Sequence, residues 1–314
     1  MSFKASAPGS LMLLGEYAVL HGKHALVCAV NKRMTVTLVP RHDQCITVQS
    51  TLGNHRTTLS AIKIIPPFQF VLAVLKRFQK KMILGCDITI ESDFSDKVGF
   101  ASSAAVTVAT LSALSAWLNL SLPELELMKI ARTIVRYVQG LGSGADVAAC
   151  VFGGIVTYRA RQPFLVKKDF YPYPITVVYS GSKTPTVQAV NSVQNAFRTH
   201  PKVFLQICRA IDQCVLDGAQ AVSSQDWKTL GHVMNIQQGL MDALGVNTTL
   251  LAGIVNELRL QPQMLGAKIS GSGLGDCVVG LGAVGEEYVC QFTQQGATRI
   301  RAELSSCGVQ CEKI

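Results

Sequence analysis

Residues 98–123 carry no charged side chain. A run of that length and polarity is stable in a bilayer, or inside a protein that covers it on every side. Six hydroxyl-bearing residues, at positions 102, 103, 107, 110, 112 and 115, argue against the bilayer. Gly99 followed by Ser102-Ser103 reads as a helix start, because small and hydroxyl residues favour that position. The stretch is therefore expected to be a buried central helix. Such a helix needs other layers around it, and 314 residues supply roughly two domains at about 150 residues each.

The flanking sequence offers those layers. Residues 34–39 alternate and are β-branched, as a strand requires. Phe68, Val71, Leu72, Leu75 and Phe78 predict an amphipathic helix over 67–81, and residues 86–91 predict a second strand. Ser121 and Glu124 have the spacing of a capping box. The helix they would open places Met128, Ala131, Val135 and Val138 on one face and stops at Gly140. Residues 159–174 are basic and proline-bearing, so the domain boundary is expected there, dividing the chain into 1–168 and 169–314. Beyond it come a strand at 175–179, helical patterns to about residue 259, and an apolar strand at 277–281. Strands and helices mix without regular βαβ alternation, which predicts an α+β fold.

Twenty-nine Lys and Arg against twenty Asp and Glu give a formal charge of +9. That balance suits nucleic acid, an anionic surface or a small polyanion such as a nucleotide. The basic residues are scattered, with no stripe interleaved with aromatics, so neither nucleic acid nor a membrane is the expected partner. Ten cysteines follow no signal-peptide pattern, and most lie in apolar runs such as Val27-Cys28-Ala29. Cys307 and Cys311 have no second pair or histidines at zinc spacing. Reduced thiols in a cytoplasmic protein are expected.

In four segments, small residues make a turn and a hydroxyl or carboxylate then opens an element. They are Ala7-Pro8-Gly9 running to Glu16, Gly99-Phe100-Ala101-Ser102-Ser103, Gly142-Ser143-Gly144-Ala145-Asp146, and Gly271-Ser272-Gly273-Leu274-Gly275. Glycine lets backbone approach a ligand closely, and a helix start offers unpaired N–H groups to an anion. A structural turn uses the same residues, so each loop alone says little. Four in a basic chain point to phosphate. No Gly-x-x-x-x-Gly-Lys-Ser/Thr is present, and neither His-Arg-Asp nor Asp-Phe-Gly, so the ordinary P-loop and the protein kinases are excluded.

These segments, with GSGADVAACVFGG at 142–154 and KISGSGLGDCVVGL at 268–281, resemble the ordered motifs of the GHMP small-molecule kinases over essentially the whole chain. The resemblance implies a ribosomal-protein-S5-like N-terminal domain and a ferredoxin-like C-terminal domain, with ATP, Mg²⁺ and a small alcohol substrate in the cleft between them. It implies Asp146 as catalytic base, and Glu16, Tyr17, Ser143 and Gly144 at the substrate. It also implies Gly99, Ala101, Ser102, Ser103, Ala104, Gly271, Ser272 and Gly273 at the nucleotide, with the Ser102 hydroxyl at the metal. Residues 230–259 resemble the mevalonate-phosphorylating branch, whereas the Asp276-Cys277 step is closer to the phosphomevalonate branch. A homodimer is a further implication.

Three positions depart from the family pattern. The first motif carries Ser10 where a lysine is usual, Val135 stands where a magnesium-binding glutamate is usual, and Tyr17 replaces a histidine. Lys4, Lys23 and Lys183 are the candidates to replace the missing charge. Ser10 and Val135 also raise a nucleotide-binding sensor without turnover as the alternative, against which the retained Asp146 speaks. Ser102 and Ser103 read equally as helix caps, Asp276 as a turn cap, residues 183–186 as a solvated loop, and His21 and His24 as structural.

Overall fold

The computed structural model describes residues 1–95, 98–161 and 164–314. In chain order the strands are β1 (Phe3–Leu14), β2 (His24–Pro40), β3 (Cys45–Ser50), β4 (Gly53–Thr58), β5 (Cys86–Ser92), β6 (Ile155–Arg159), β7 (Leu165–Asp169), β8 (Ile175–Tyr179), β9 (Gly266–Ser270), β10 (Cys277–Leu281), β11 (Thr298–Ile300) and β12 (Gln310–Lys313). The helices are α1 (Gln69–Phe78), α2 (Ser102–Trp117), α3 (Glu124–Gln139), α4 (Ala145–Phe152), α5 (Thr186–Ala196), α6 (Pro201–Ser223), α7 (Trp227–Ala243) and α8 (Thr249–Arg259). An eight-stranded sheet runs β12-β1-β2-β5-β3-β4, with β6 and β7 continuing from β2. A four-stranded sheet runs β11-β8-β10-β9. Strands and helices are thus mixed as the α+β reading requires.

The uncharged stretch forms α2, packed against β1, β2, α1, α3 and α4. Its alanines let the helix approach the sheet closely, and the buried Thr107 hydroxyl donates to the Ser103 carbonyl one turn back, 2.7 Å away. Among the described residues no helix is long and apolar enough to cross a membrane. All ten cysteines are free, eight of them buried. Gly140 ends α3 in the left-handed conformation, φ 73°, as its position after the periodic residues predicts.

Two local readings change. Ala7-Pro8-Gly9 is not a free turn but lies inside β1, where the pairing with β2 shifts register between Pro8 and Gly9. Proline has no N–H to give the ladder, so the strand bulges there. Ser121 does not cap α3: Pro123 occupies the N-cap position and no side chain caps the helix. The chain also returns after its second sheet, and β12 pairs antiparallel with the start of β1, Ala5 opposite Cys311. Local patterning carries no signal for a partner that distant. Within the expected boundary segment, β6 and β7 still belong to the larger sheet, and residues 162 and 163 lie outside the described residues.

The two halves interlock. The larger core takes Val215 and Val222 from α6, Leu230 from α7 and Val279 from β10, alongside Leu14 and Leu26 of the first sheet. The smaller core takes Tyr17 and Ala18 into the helices and strands of the second. At the seam lies a buried polar cluster. Lys268 on β9, fully buried, pairs with the Glu16 carboxylate just beyond β1 and also donates to the Ile269 carbonyl. Gln237 on α7 donates to the other Glu16 oxygen and accepts from the Gly15 N–H at 3.1 Å. Burial pushes the Glu16 carboxyl up and the Lys268 ammonium down, and each charge opposes the other's shift.

Removing one member of such a pair leaves a buried charge without a partner, at a cost of about 3–5 kcal/mol. Lys268→Met is therefore expected to destabilise the protein by about that much in denaturant unfolding, and Glu16→Gln added to it should recover part of the loss. A double variant no more stable than Lys268→Met would contradict this. In α7, a Cβ at Gly231 would meet the Leu265 backbone at 2.6 Å, whereas Gly239 has nothing within 4 Å. Gly231→Ala should destabilise by about 1–3 kcal/mol through overpacking. Gly239→Ala should stabilise by roughly 0.5–1 kcal/mol through helix propensity. Equal signs for the two would overturn this account of the α7–β9 contact.

Candidate active site

Three of the four small-residue turns converge with the Pro8–Gly9 bulge. The bulge frees the edge of β1, so the Ser10 N–H donates to the Phe100 carbonyl at 3.2 Å. A Cβ at Gly9 would sit 3.0 Å from that same carbonyl, so the strand and the turn touch only because residue 9 lacks a side chain. Ala101 then adopts the left-handed conformation, φ 52°, and α2 starts at Ser102 with no side-chain cap. Ser102 and Ser103 are therefore the first helical residues, not caps. Ala104 and Ala105 bond back to the Ala101 carbonyl at 2.9 and 3.1 Å, and the N–H groups before them have no intrahelical partner. The helix start is an anion site by geometry.

Asp146 stands in the first turn of α4, preceded by Gly144 in the left-handed conformation, φ 95°. The Ser10 hydroxyl donates to its Oδ1 at 2.9 Å. Surrounding protein pushes the Asp146 carboxyl up, and the Ser10 hydrogen bond partly opposes that shift. The residue is only partly buried. Ser143 shapes the loop: its hydroxyl accepts from the Ala145 N–H at 3.1 Å and its carbonyl from the Tyr158 hydroxyl at 2.7 Å. A Cβ on Gly144 would fall 2.6 Å from Arg132 Cδ and 2.7 Å from the Tyr158 oxygen. That position must be glycine for Asp146 to be presented as it is.

The last glycine loop closes from the second sheet. The Tyr17 hydroxyl donates to the Ser272 carbonyl at 2.6 Å, and the Gly271 N–H reaches Glu16 at 3.3 Å. Gly273 passes so close to Val246 that a Cβ would lie 2.6 Å from its carbonyl oxygen. Glu16 and Tyr17, expected at the substrate, are both buried with their polar atoms committed to this seam. They hold the loop over the site from behind. A lone glutamate at a glycine bend gives no sign that a lysine 252 positions later will neutralise it.

A cleft of about 690 Å³ opens beside the start of α2, a volume suited to a nucleoside. Ser102, Ser103 and Val106 line one wall, and Leu52, Pro67 and Phe68 line the other. The sequence carries no signal for the second wall, since its β3–β4 hairpin tip and proline pair look like any surface connection. Of the candidate replacement cations, Lys23 is paired with Asp212 at 3.4 Å. Lys4 lies six residues before Ser10 on β1, about 20 Å along an extended strand. Lys183 lies within electrostatic reach of Asp276. Asp276, read as a turn cap, instead has its carboxylate against Gly99, where burial pushes it up to about 6.

Val135 is buried on α3, so the family's usual metal-binding carboxylate has no counterpart there. Among the described residues no group of three or more His, Cys, Asp or Glu side chains forms a metal cage. The oxygens present at the start of α2 still fit a hard cation that keeps its waters. They are the Ser102 hydroxyl and the Asp276 Oδ1, which is buried without a hydrogen-bond partner.

Residues 69–154 match the model of the GHMP kinases N terminal domain, and residues 219–310 match GHMP kinases C terminal. The mevalonate kinase of Pyrococcus furiosus is 30% identical, with 100% of this chain and 99% of that protein covered. The mevalonate kinase of Archaeoglobus fulgidus is 33% identical, over 88% of this chain and 91% of its own. Among solved structures, the L. major mevalonate kinase in complex with R-mevalonate superposes with a TM-score of 0.77. It is 24% identical and is matched over 96% of this chain and 95% of its own. With the α2 turn and Asp146 both tied to Ser10, the end of the last glycine loop set against Gly99, and relatives of this similarity aligned along its full length, the chain belongs to the GHMP kinases.

Proposed function

We propose that this chain transfers the γ-phosphoryl group of ATP to the primary hydroxyl of mevalonate. The observation that carries the reading is the Asp146 carboxylate, set in the first turn of α4 and hydrogen-bonded to Ser10, whose own N–H holds the turn that opens α2. The full-length similarity to mevalonate kinases supports the choice of alcohol. In this reading the triphosphate rests on the turn of Gly99, Ala101, Ser102, Ser103 and Ala104, whose N–H groups and helix dipole neutralise part of its charge. The base and ribose occupy the cleft toward Pro67 and Phe68. Residues 271–273 cover the opposite side, and Ser143 and Gly144 form the floor under the acceptor.

Asp146 takes the proton as the alcohol oxygen attacks the γ-phosphorus. A P–O bond forms to the acceptor, the bond from the γ-phosphorus to the β–γ bridging oxygen breaks, and ADP leaves with that electron pair. The proton on Asp146 returns to solvent. Burial raises the basicity of Asp146, and Ser10 orients it by a hydrogen bond where the family's lysine would place a charge. Mg²⁺, when bound, would be held by the Ser102 hydroxyl and the phosphates and would supply charge neutralisation. Ten free thiols support a reducing, cytoplasmic setting.

ADP release with Mg-ATP and a panel of mevalonate, phosphomevalonate, galactose and homoserine tests the reading. Turnover is expected on mevalonate, and Asp146→Asn should lower it by about 10²–10⁴-fold. Turnover on phosphomevalonate alone would move the activity to the phosphorylated acceptor, and silence on every alcohol would sink the enzyme reading. The pH profile provides a second check. The base must be ionised, so kcat/KM falls as pH drops through the Asp146 pKa. Ser10→Ala removes the hydrogen bond that lowers that pKa, so the acid limb should move to higher pH. An unmoved limb would exclude Asp146 as the titrating base.

A further inference from the structure

Asp276 is held in an unfavourable way at an informative place. It is a non-glycine residue in the left-handed region, φ 72°. Its backbone is pinned there by Asp276 N–H to the Ser182 carbonyl at 2.7 Å and by Ser180 N–H to the Asp276 carbonyl at 2.8 Å. This conformation aims the side chain out of the second sheet and onto the first domain. A Cβ on Gly99 would lie 2.0 Å from Asp276 Oδ1 and 2.6 Å from Oδ2, so the carboxylate rests directly on the turn that opens α2. Oδ1 is inaccessible to solvent and has no hydrogen-bond partner. Lys183 and the Gly99 N–H favour the carboxylate's charge, and Asp146 within electrostatic reach opposes it. Backbone strain and an unsatisfied buried carboxylate oxygen at one residue need a compensating role.

The turn supplies that role. An anion drawn to the start of α2 arrives beside a second anion, and two negative groups in a partly desolvated cleft repel each other strongly. Repulsion becomes attraction when a divalent cation sits between them. Mg²⁺ takes oxygen ligands, keeps several waters, and is commonly held by one or two carboxylates together with substrate phosphates. Asp276 Oδ1 is an oxygen donor left over for such an ion, and Ser102 presents its hydroxyl three residues beyond Gly99. We propose that Asp276, reaching across from the second sheet, is a protein ligand of the divalent cation that accompanies the nucleotide, shared with Ser102. The inference rests on the nucleotide reading of the α2 turn. It makes cation binding a contact between the two halves of the molecule.

Mn²⁺ titration followed by the electron paramagnetic resonance of the free ion, with ADP present, reads this directly and needs no turnover. The intact chain should bind Mn²⁺ in the ADP complex. Asp276→Asn and Asp276→Ala should each weaken that binding at least about tenfold, as loss of one charged ligand among few implies. ADP affinity in EDTA should be unchanged or tighter in both variants, because a negative group has left the phosphate site; this also shows that they are folded. Mn²⁺ binding within about threefold of the parent in both variants would overturn the assignment while leaving nucleotide binding intact. A parent chain that binds ADP neither with Mn²⁺ nor in EDTA would overturn the nucleotide reading and this inference together.

Discussion

The buried pair between Glu16 and Lys268 governs how the two halves of the molecule meet. Neither charge reaches water, so each is tolerable only while the other is in place. Glu16 follows the bend at Gly15, where a Cβ would strike the Ala25 backbone at 2.6 Å, and Lys268 sits on β9 just before the last glycine loop. The pair thus sets the end of β1 against the start of that loop. Ser10 and Ser272 are placed by the same two segments, so the position of Ser10 and its partner Asp146 relative to the last glycine loop follows from a charge pair behind them.

The second constraint is the absence of charge in α2. A helix packed against a sheet and three other helices cannot carry an ionic side chain without a partner. What it offers an anion is therefore backbone N–H groups, at the one end that emerges beside the cleft. Small residues serve both ends of this requirement. Alanines let α2 approach the sheet, and Gly9 and Gly99 let strand, turn and carboxylate meet without side chains between them.

The chain handles charge at the site differently from the pattern its family suggests. A serine stands at the first-motif lysine position, and its hydroxyl donates to Asp146. A valine on α3 stands at the position of the usual carboxylate, and the carboxylate of Asp276 lies instead against Gly99. That negative group comes from the loop before β10 and meets the α2 turn from the second sheet.

Much of the fold is legible in the chain because it rests on local physics. The periodicity of residues 67–81 and 124–139, the stop at Gly140, and the uncharged run from 98 to 123 are written in short spacings of a few residues. The same holds for the small-residue turns, and Asp146 is recognisable through the glycine motif that its loop shares with the family. Local reading fails where a residue's meaning depends on something far along the chain. Ala7-Pro8-Gly9 looks like a turn because nothing nearby shows that β2 will pair with it and absorb the proline as a bulge. Glu16 reads as a substrate residue because its partner is 252 positions away. Asp276 looks like a cap because the backbone it presses on belongs to Gly99. Spacing along the chain is thus enough to set which segments become helices, where they stop, and which loops can approach a phosphate. Packing in three dimensions settles which buried charges are paired and which carboxylate faces the cleft, because electrostatic partners are chosen by proximity in space, which local spacing does not encode.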